Sequence, residues 1–377
     1  MPLLVRPFHV HRSPARQGHG RRVCRSRKGV SLLLVAALCI AFGRTRGAAA
    51  AGPPELPPLV TPETDRAIRR GLEYLARTQS RDGGWRHEGQ IGRYPVAMTA
   101  LAGLALLAGG STTTQGPYAP NVSRAAAFLA ASCQPSGLFC RPEEEGRSMH
   151  GHGFAMLFLG QVLGMEEDAE RQERIQAVLR KAVTLTGKAQ STLGGWYYTP
   201  DSHSDEGSVT VTQLQGLRSC RNAGVAVPKD VIRNALDYLD KSLQPDGGIA
   251  YRVGQPGSRP PITAAAVVCW YNAGLYDDPR AAKALAFCKQ TIPISGSSSG
   301  RFLWGHYFYA HLYMSQIMWL SGEANWKSYY PKMRDQLLSM QDSDGSWEGD
   351  GVGKVYGTAI ATFILQIPYN CLPIMQR

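Results

Sequence analysis

The chain lacks the motifs that usually announce a chemistry. Its 377 residues contain no GxxxxGK[ST] phosphate loop and no GxGxxG dinucleotide fingerprint. Nucleotide-dependent reactions therefore have no visible anchor. None of the eight cysteines falls in a CxxC pair, so a zinc ribbon has no ligand frame. Acidic residues are absent from the first 46 positions, which hold ten of the 41 lysines and arginines. The net charge of +12 thus falls to about +2 for the remainder, and a nucleic-acid-binding body is not supported.

The basic start precedes an apolar run, VSLLLVAALCIAF at residues 30–42, followed by small residues in GAAAA. Thirteen residues fall short of the roughly 20 that span a bilayer as a helix. Residues 1–50 are read as an export signal, cleaved or kept as an anchor, with no membrane span in the mature chain. That predicts a periplasmic, envelope or extracellular protein. Residues 51–61 are proline-rich and polar, a linker, and Thr61 is placed to cap the first helix.

Residues 62–377 are repetitive. Gln79, Gln134, Gln190, Gln244, Gln290 and Gln341 recur at intervals of 55, 56, 54, 46 and 51 residues. A glycine-bearing turn follows each, and then usually an aromatic: Trp85, Phe139, Trp196 and Trp347, with Ile249 in that place after Gln244. An amphipathic helix such as AIRRGLEYLARTQ precedes each turn, and a more apolar helix such as PVAMTALAGLALLAGG comes after the loop. Six alternations of an outer and an inner helix predict an all-α, α/α-toroid domain in which six inner helices ring an axis and six outer ones cover them.

The stretch RGLEYLARTQSRDGGW resembles the QW repeat of squalene and hopene cyclases, and QDSDGSW matches its second half. The resemblance, to the prenyltransferase and squalene-oxidase repeat superfamily, extends over residues 62–377. It implies a terpenoid-cyclase-like toroid in which the repeat glutamines and tryptophans are structural, the amide binding backbone at a neighbouring helix end. It also implies chemistry whose motifs are missing. The cyclase Asp-x-Asp-Asp is absent; aligning SHSDEGSVTV on it leaves Glu206 at the central acid and Gly207 at the last position. The Asp-Cys-Thr-Ala-Glu run, the prenyltransferase Asp-x-Cys zinc pair and the Gly-Cys-Gly-Glu-Gln thioester are missing too.

Polar residues at the starts of the inner helices remain as candidates for the rim of a central cavity: His150, His152, Asp205, Glu206, His306, Tyr309 and Tyr356. His150 and His152 can hold a metal with a neighbouring carboxylate, or simply cap a helix; no metal or other cofactor is assigned. His306, Tyr309, Tyr313 and Gln316 share one helical stripe, which lines a pocket if it faces the axis and packs the core if it faces outward. Cys133 and Cys140 bracket a turn that a disulfide can close in an oxidising compartment. The expectation is an exported toroid that binds an isoprenoid, peptide or glycan without the superfamily's known catalysis. The alternative is an enzyme using other residues at the same cavity.

Overall fold

The computed structural model describes residues 55–86, 93–295 and 306–376. Residues 1–50, read as an export signal, and the first four linker residues lie outside the described residues. From Thr61 onward the chain is built of α-helices in alternating roles. The outer helices are α1 (Pro62–Thr78), α3 (Ala119–Ala131), α5 (Ala169–Lys188), α7 (Lys229–Lys241), α9 (Pro279–Thr291) and α11 (Glu323–Met340). The inner ones are α2 (Pro95–Ala108), α4 (Ser148–Met165), α6 (Gly207–Asn222), α8 (Pro260–Asn272), α10 (Tyr307–Leu320) and α12 (Lys354–Gln366). Inner helices are buried all round, every residue of α2 included, because one side meets the outer layer and the other meets the axis. Each packs on the next, and α12 returns to α2, so the ring closes.

Closure is sealed by polar contacts between the last turn and the first helix. Gln341 Nε2 donates to Ala67 O at 2.9 Å, and Arg70 donates to the carbonyls of Asp342 and Ser343. Thr61 caps α1 as expected, its hydroxyl accepting from Thr64 N at 3.2 Å. Where α4 and α6 cross, both present glycine. A Cβ on Gly153 would lie 2.8 Å from the Thr212 backbone, and one on Gly216 would lie 2.7 Å from Gly153 O, so only hydrogen allows this approach.

The turns repeat in three dimensions as well. Gln79, Gln190 and Gln341 each donate through Nε2 to a glycine carbonyl four residues on (Gly83, Gly194, Gly345) and to a carbonyl near the start of the next outer helix (Asn121, Val231, Ala67). Trp85, Trp196 and Trp347 are wholly buried, and each indole N–H donates back to the helix before it, at Leu75, Thr186 and Leu337. Gln134 and Gln244 make no such double bridge. In these two repeats the outer helix stops three residues before the glutamine rather than one or two, so the amide is set back from the helix end.

Cys133 and Cys140 are free thiols. Cys133 pairs across the turn with Phe139, so alternation turns the neighbouring Cys140 to the other face. The sulfurs point to separate carbonyls, those of Gln134 and Arg141, which corrects the disulfide expectation.

Candidate functional site

Parallel inner helices bring their first turns together at one end of the ring. A cavity of about 630 Å³ opens there, lined from all six: Tyr94 and Ala97 at α2, Arg147 and His150 at α4, Ser208 at α6, Arg259 and Ile262 at α8, His306 and Tyr309 at α10, and Tyr356 at α12. Its size falls within the roughly 300–1,000 Å³ of small-molecule sites. Deeper walls are Met98, Leu101 and Phe154. The axis is filled below: Gln215 Nε2 on α6 donates across it to Gln316 Oε1 on α10 at 3.1 Å, and Ile374 of the C-terminal segment helps line the narrow space beside that pair. That segment is tied in by Gln161 Oε1, which accepts from Ile374 N at 3.1 Å. The pocket is therefore blind, with its mouth at the helix N-termini.

The aromatic stripe of α10 faces the axis. His306 and Tyr309 line the cavity, Tyr313 sits edge-on to Tyr309 at 4.9 Å between centroids, and Gln316 lies below. Glu206 lies just behind the wall, fully buried, as the N-cap of α6. Its oxygens accept from Val209 N at 2.6 Å, Ser208 N at 2.8 Å and the Ser208 hydroxyl. Burial pushes its carboxyl up, and these donors pull it back. Ser208 Oγ also lies 3.0 Å from His150 Nε2. Burial, with Arg147 beside it, holds His150 down at about 4, so it is neutral at physiological pH; His306 is lowered by burial too.

Two of the expected rim residues are elsewhere. His152 is fully buried on the outward side of α4, where Nδ1 accepts from Phe139 N at 3.1 Å and Nε2 meets the Thr186 hydroxyl at 3.0 Å. It takes the place held in other repeats by Thr99, Thr210, Thr263 and Thr358, whose hydroxyls accept from the N–H of Trp85, Trp196, Ile249 and Trp347. Being two residues from His150 puts it about 200° round the helix, so the two cannot share a metal. Asp205 is buried against the turn of its own repeat, accepting from the Ser191 hydroxyl at 2.9 Å, and is no part of the cavity. Among the described residues no cluster of three or more His, Cys, Asp or Glu is arranged to hold a metal.

Other lining residues were not picked out from the sequence. Tyr198 and Tyr251 follow the repeat positions Trp196 and Ile249 by two residues, and their hydroxyls bond to one another across the mouth. Asp350 precedes α12 and caps α10: its two oxygens each accept a backbone N–H, from Phe308 and Tyr309, at 3.1 Å. Burial raises its carboxyl to about 6 against those bonds. Among the described residues it is the sole carboxylate that lines the cavity.

Comparison with known proteins places this geometry. The type II terpene cyclase MstE from Scytonema superposes with a TM-score of 0.57 at 15% identity, over 82% of this chain and 99% of that one. An α-1,6-mannanase of Salegentibacter gives 0.61 at 9%, with the same coverage. The fold is an α/α toroid, of the terpenoid-cyclase-like kind. In sequence, a drimenyl diphosphate synthase of Streptantibioticus cattleyicolor is 28% identical over 206 residues, 54% of this chain and 36% of that protein. This chain matches about a third of the length of that relative. No protein-family model matches it.

Proposed function

We propose that this protein binds an apolar, isoprenoid-like molecule in its central cavity, and that it does so without protonating an alkene. The observation that carries the reading is the blind pocket walled by Met98, Leu101, Phe154 and Ile262 under a collar of tyrosines. Apolar walls with a few polar groups at one end suit a hydrophobic chain. A toroid of the same fold, the Scytonema cyclase, holds geranylgeranyl dihydroxybenzoate. Here, however, both oxygens of Asp350 are committed to helix N–H groups, and so are those of Glu206. Neither acid is presented as a free proton donor, and the missing Asp-x-Asp-Asp agrees with that. Glycoside hydrolysis needs two carboxyl groups flanking the bond, and among the described residues only one faces the pocket. The basic and apolar leader supports export of the protein to the envelope or beyond.

The test is calorimetric titration of farnesol into the protein and into Ala97→Trp, whose indole would fill the pocket. Affinity should fall at least tenfold in the variant while its circular dichroism is kept. Equal affinity would move the binding elsewhere, for instance to the groove of about 620 Å³ lined by Val225, Ile232 and Leu236. A second reading, an enzyme acting on the bound molecule, draws on the His150–Ser208–Glu206 chain in and behind the cavity wall. Mass analysis of a farnesyl ester after incubation with the protein and with Ser208→Ala separates the two.

A further inference from the structure

A second hollow lies on the outer layer, where the repeat pattern weakens. Gln244 makes no bridge from the end of α7 to the next outer helix, its amide reaching only Ser242 O at 3.4 Å. An arginine makes the tie instead. Arg280, at the start of α9, is held by Asp278 Oδ2 at 2.6 Å and by Asp240 Oδ2 near the end of α7. Beside this tie is a groove of about 620 Å³ that shares no lining residue with the central cavity. It lies toward the end of the ring opposite the mouth, since Val225 and Val227 follow α6 and Leu275 follows α8. Ile232 and Leu236 are four apart on α7, so they share the face that walls the groove, and Asp240 continues it. Ile232, Leu236 and Leu275 are half-buried, which leaves an apolar strip open to solvent.

Two buried polar atoms among the groove's lining residues lack partners. Trp85, Trp196, Trp319 and Trp347 each donate the indole N–H to a backbone carbonyl. Trp270, a fully buried lining residue, has no acceptor for its Nε1–H. Asp240 gives Oδ2 to Arg280, and its Oδ1 is buried with no donor. Buried polar atoms are paired as a rule, so both orphans need a reason. One is a donor and the other an acceptor, in the wall of a single apolar groove. That is the complement of a peptide group, whose C=O accepts and whose N–H donates. Charge is sorted along the groove as well. Arg233 is paired with Asp230, and Arg280 with its two aspartates. Arg221 and Lys229, exposed on either side of the Val225–Val227 loop, make no ion pair among the described residues. The acid Asp237 lies about two turns further along α7.

We propose that this groove docks an extended, acidic and aliphatic segment of a partner protein. An aliphatic side chain fills the strip along Val225, Ile232 and Leu236, and the adjoining peptide group bonds Trp270 Nε1 and Asp240 Oδ1. An acidic residue reaches Arg221 and Lys229, which set the direction of the segment. The test titrates the nitrogen-15-labelled full chain with acetyl-Glu-Leu-Leu-methylamide and with its twin carrying Lys in place of Glu. The acidic peptide should move the indole N–H signal of Trp270, assigned with Trp270→Phe, and leave those of Trp85, Trp196 and Trp347 in place. Calorimetry should show it binding about tenfold tighter than the basic twin, the scale of one charge-assisted contact. Arg221→Glu/Lys229→Glu alters only exposed side chains and so keeps the fold; there the preference should vanish or reverse. Leu236→Ala should weaken the acidic peptide at least fivefold. Equal affinity for the twins, a preference that survives the charge reversal, or binding that leaves the Trp270 signal unmoved overturns the proposal. So does a signal moved by decanoate and by neither peptide, which would make the groove a lipid site, and so does failure of both peptides to bind.

Discussion

Lowering the pH should strip away the stabilisation that His152 gives only when neutral. The ring is fully buried and is fixed between Phe139 N and the Thr186 hydroxyl. Burial holds it down at about 4, against 6.5 in an unfolded chain. The unfolded chain therefore takes up a proton between these values and the folded one does not. The contribution is complete above pH 6.5 and is lost as the pH falls toward 4. For those two values the loss at pH 4.5, relative to pH 8, is about 2.5 kcal/mol. His152→Thr isolates the effect, because threonine already fills the equivalent place in four other repeats. At pH 7.5 the variant should be less stable by about 2 kcal/mol, having lost packing against Phe139. Denaturant unfolding of both proteins from pH 7.5 to 4.5 should show the gap closing as the pH falls. A gap that stays constant would refute the assignment of a buried, neutral His152. His311, also buried and held at about 4, is present in both proteins and cancels.

Gln341→Ala removes donation to Ala67 O and Gly345 O across the ring closure and should cost about 1–3 kcal/mol, while Gln134→Ala, whose amide makes no such bridge, should cost little; thermal unfolding of the pair checks this. Gly194→Ala combines φ of +102° with a Cβ 2.1 Å from Asn234 O, and should cost more than about 2 kcal/mol; Gly110→Ala, at φ +80° with open space, should cost clearly less in the same assay. Asp350→Asn should flatten one limb of the pH profile. The folded Asp350 is raised to about 6, so the native protein loses stability relative to the variant as pH rises from about 4 to 6, by about 2 kcal/mol, measurable by denaturant titration. Thiol labelling of the unfolded protein under non-reducing conditions should count both Cys133 and Cys140 as free.

The toroid was legible because its signal is redundant. Six glutamines spaced by about fifty residues, each between an amphipathic and an apolar helix, leave few arrangements that bury every apolar face. That Gln134 and Gln244 stand apart from their helix ends, and so make no bridge, is not visible in the spacing of the glutamines. The cavity was half legible. His150, His306, Tyr309 and Tyr356 were found because first-turn residues of parallel helices must gather at one end. His152 and Asp205 were misassigned because nearness in sequence to a helix start does not say which way a side chain turns. A step of two residues round α4 sends His152 to the outer layer, where the threonines at matching positions were the overlooked clue. Asp350, Tyr198 and Tyr251 come from loops whose path depends on the turn before them, and helical periodicity does not reach there.

The most direct test of the central claim is a crystal structure of the protein with farnesol. The chain of the ligand should lie inside the ring, between Phe154, Tyr309 and Tyr356. Density for the chain outside the ring, or an axis so filled that the ligand is shut out, would contradict it.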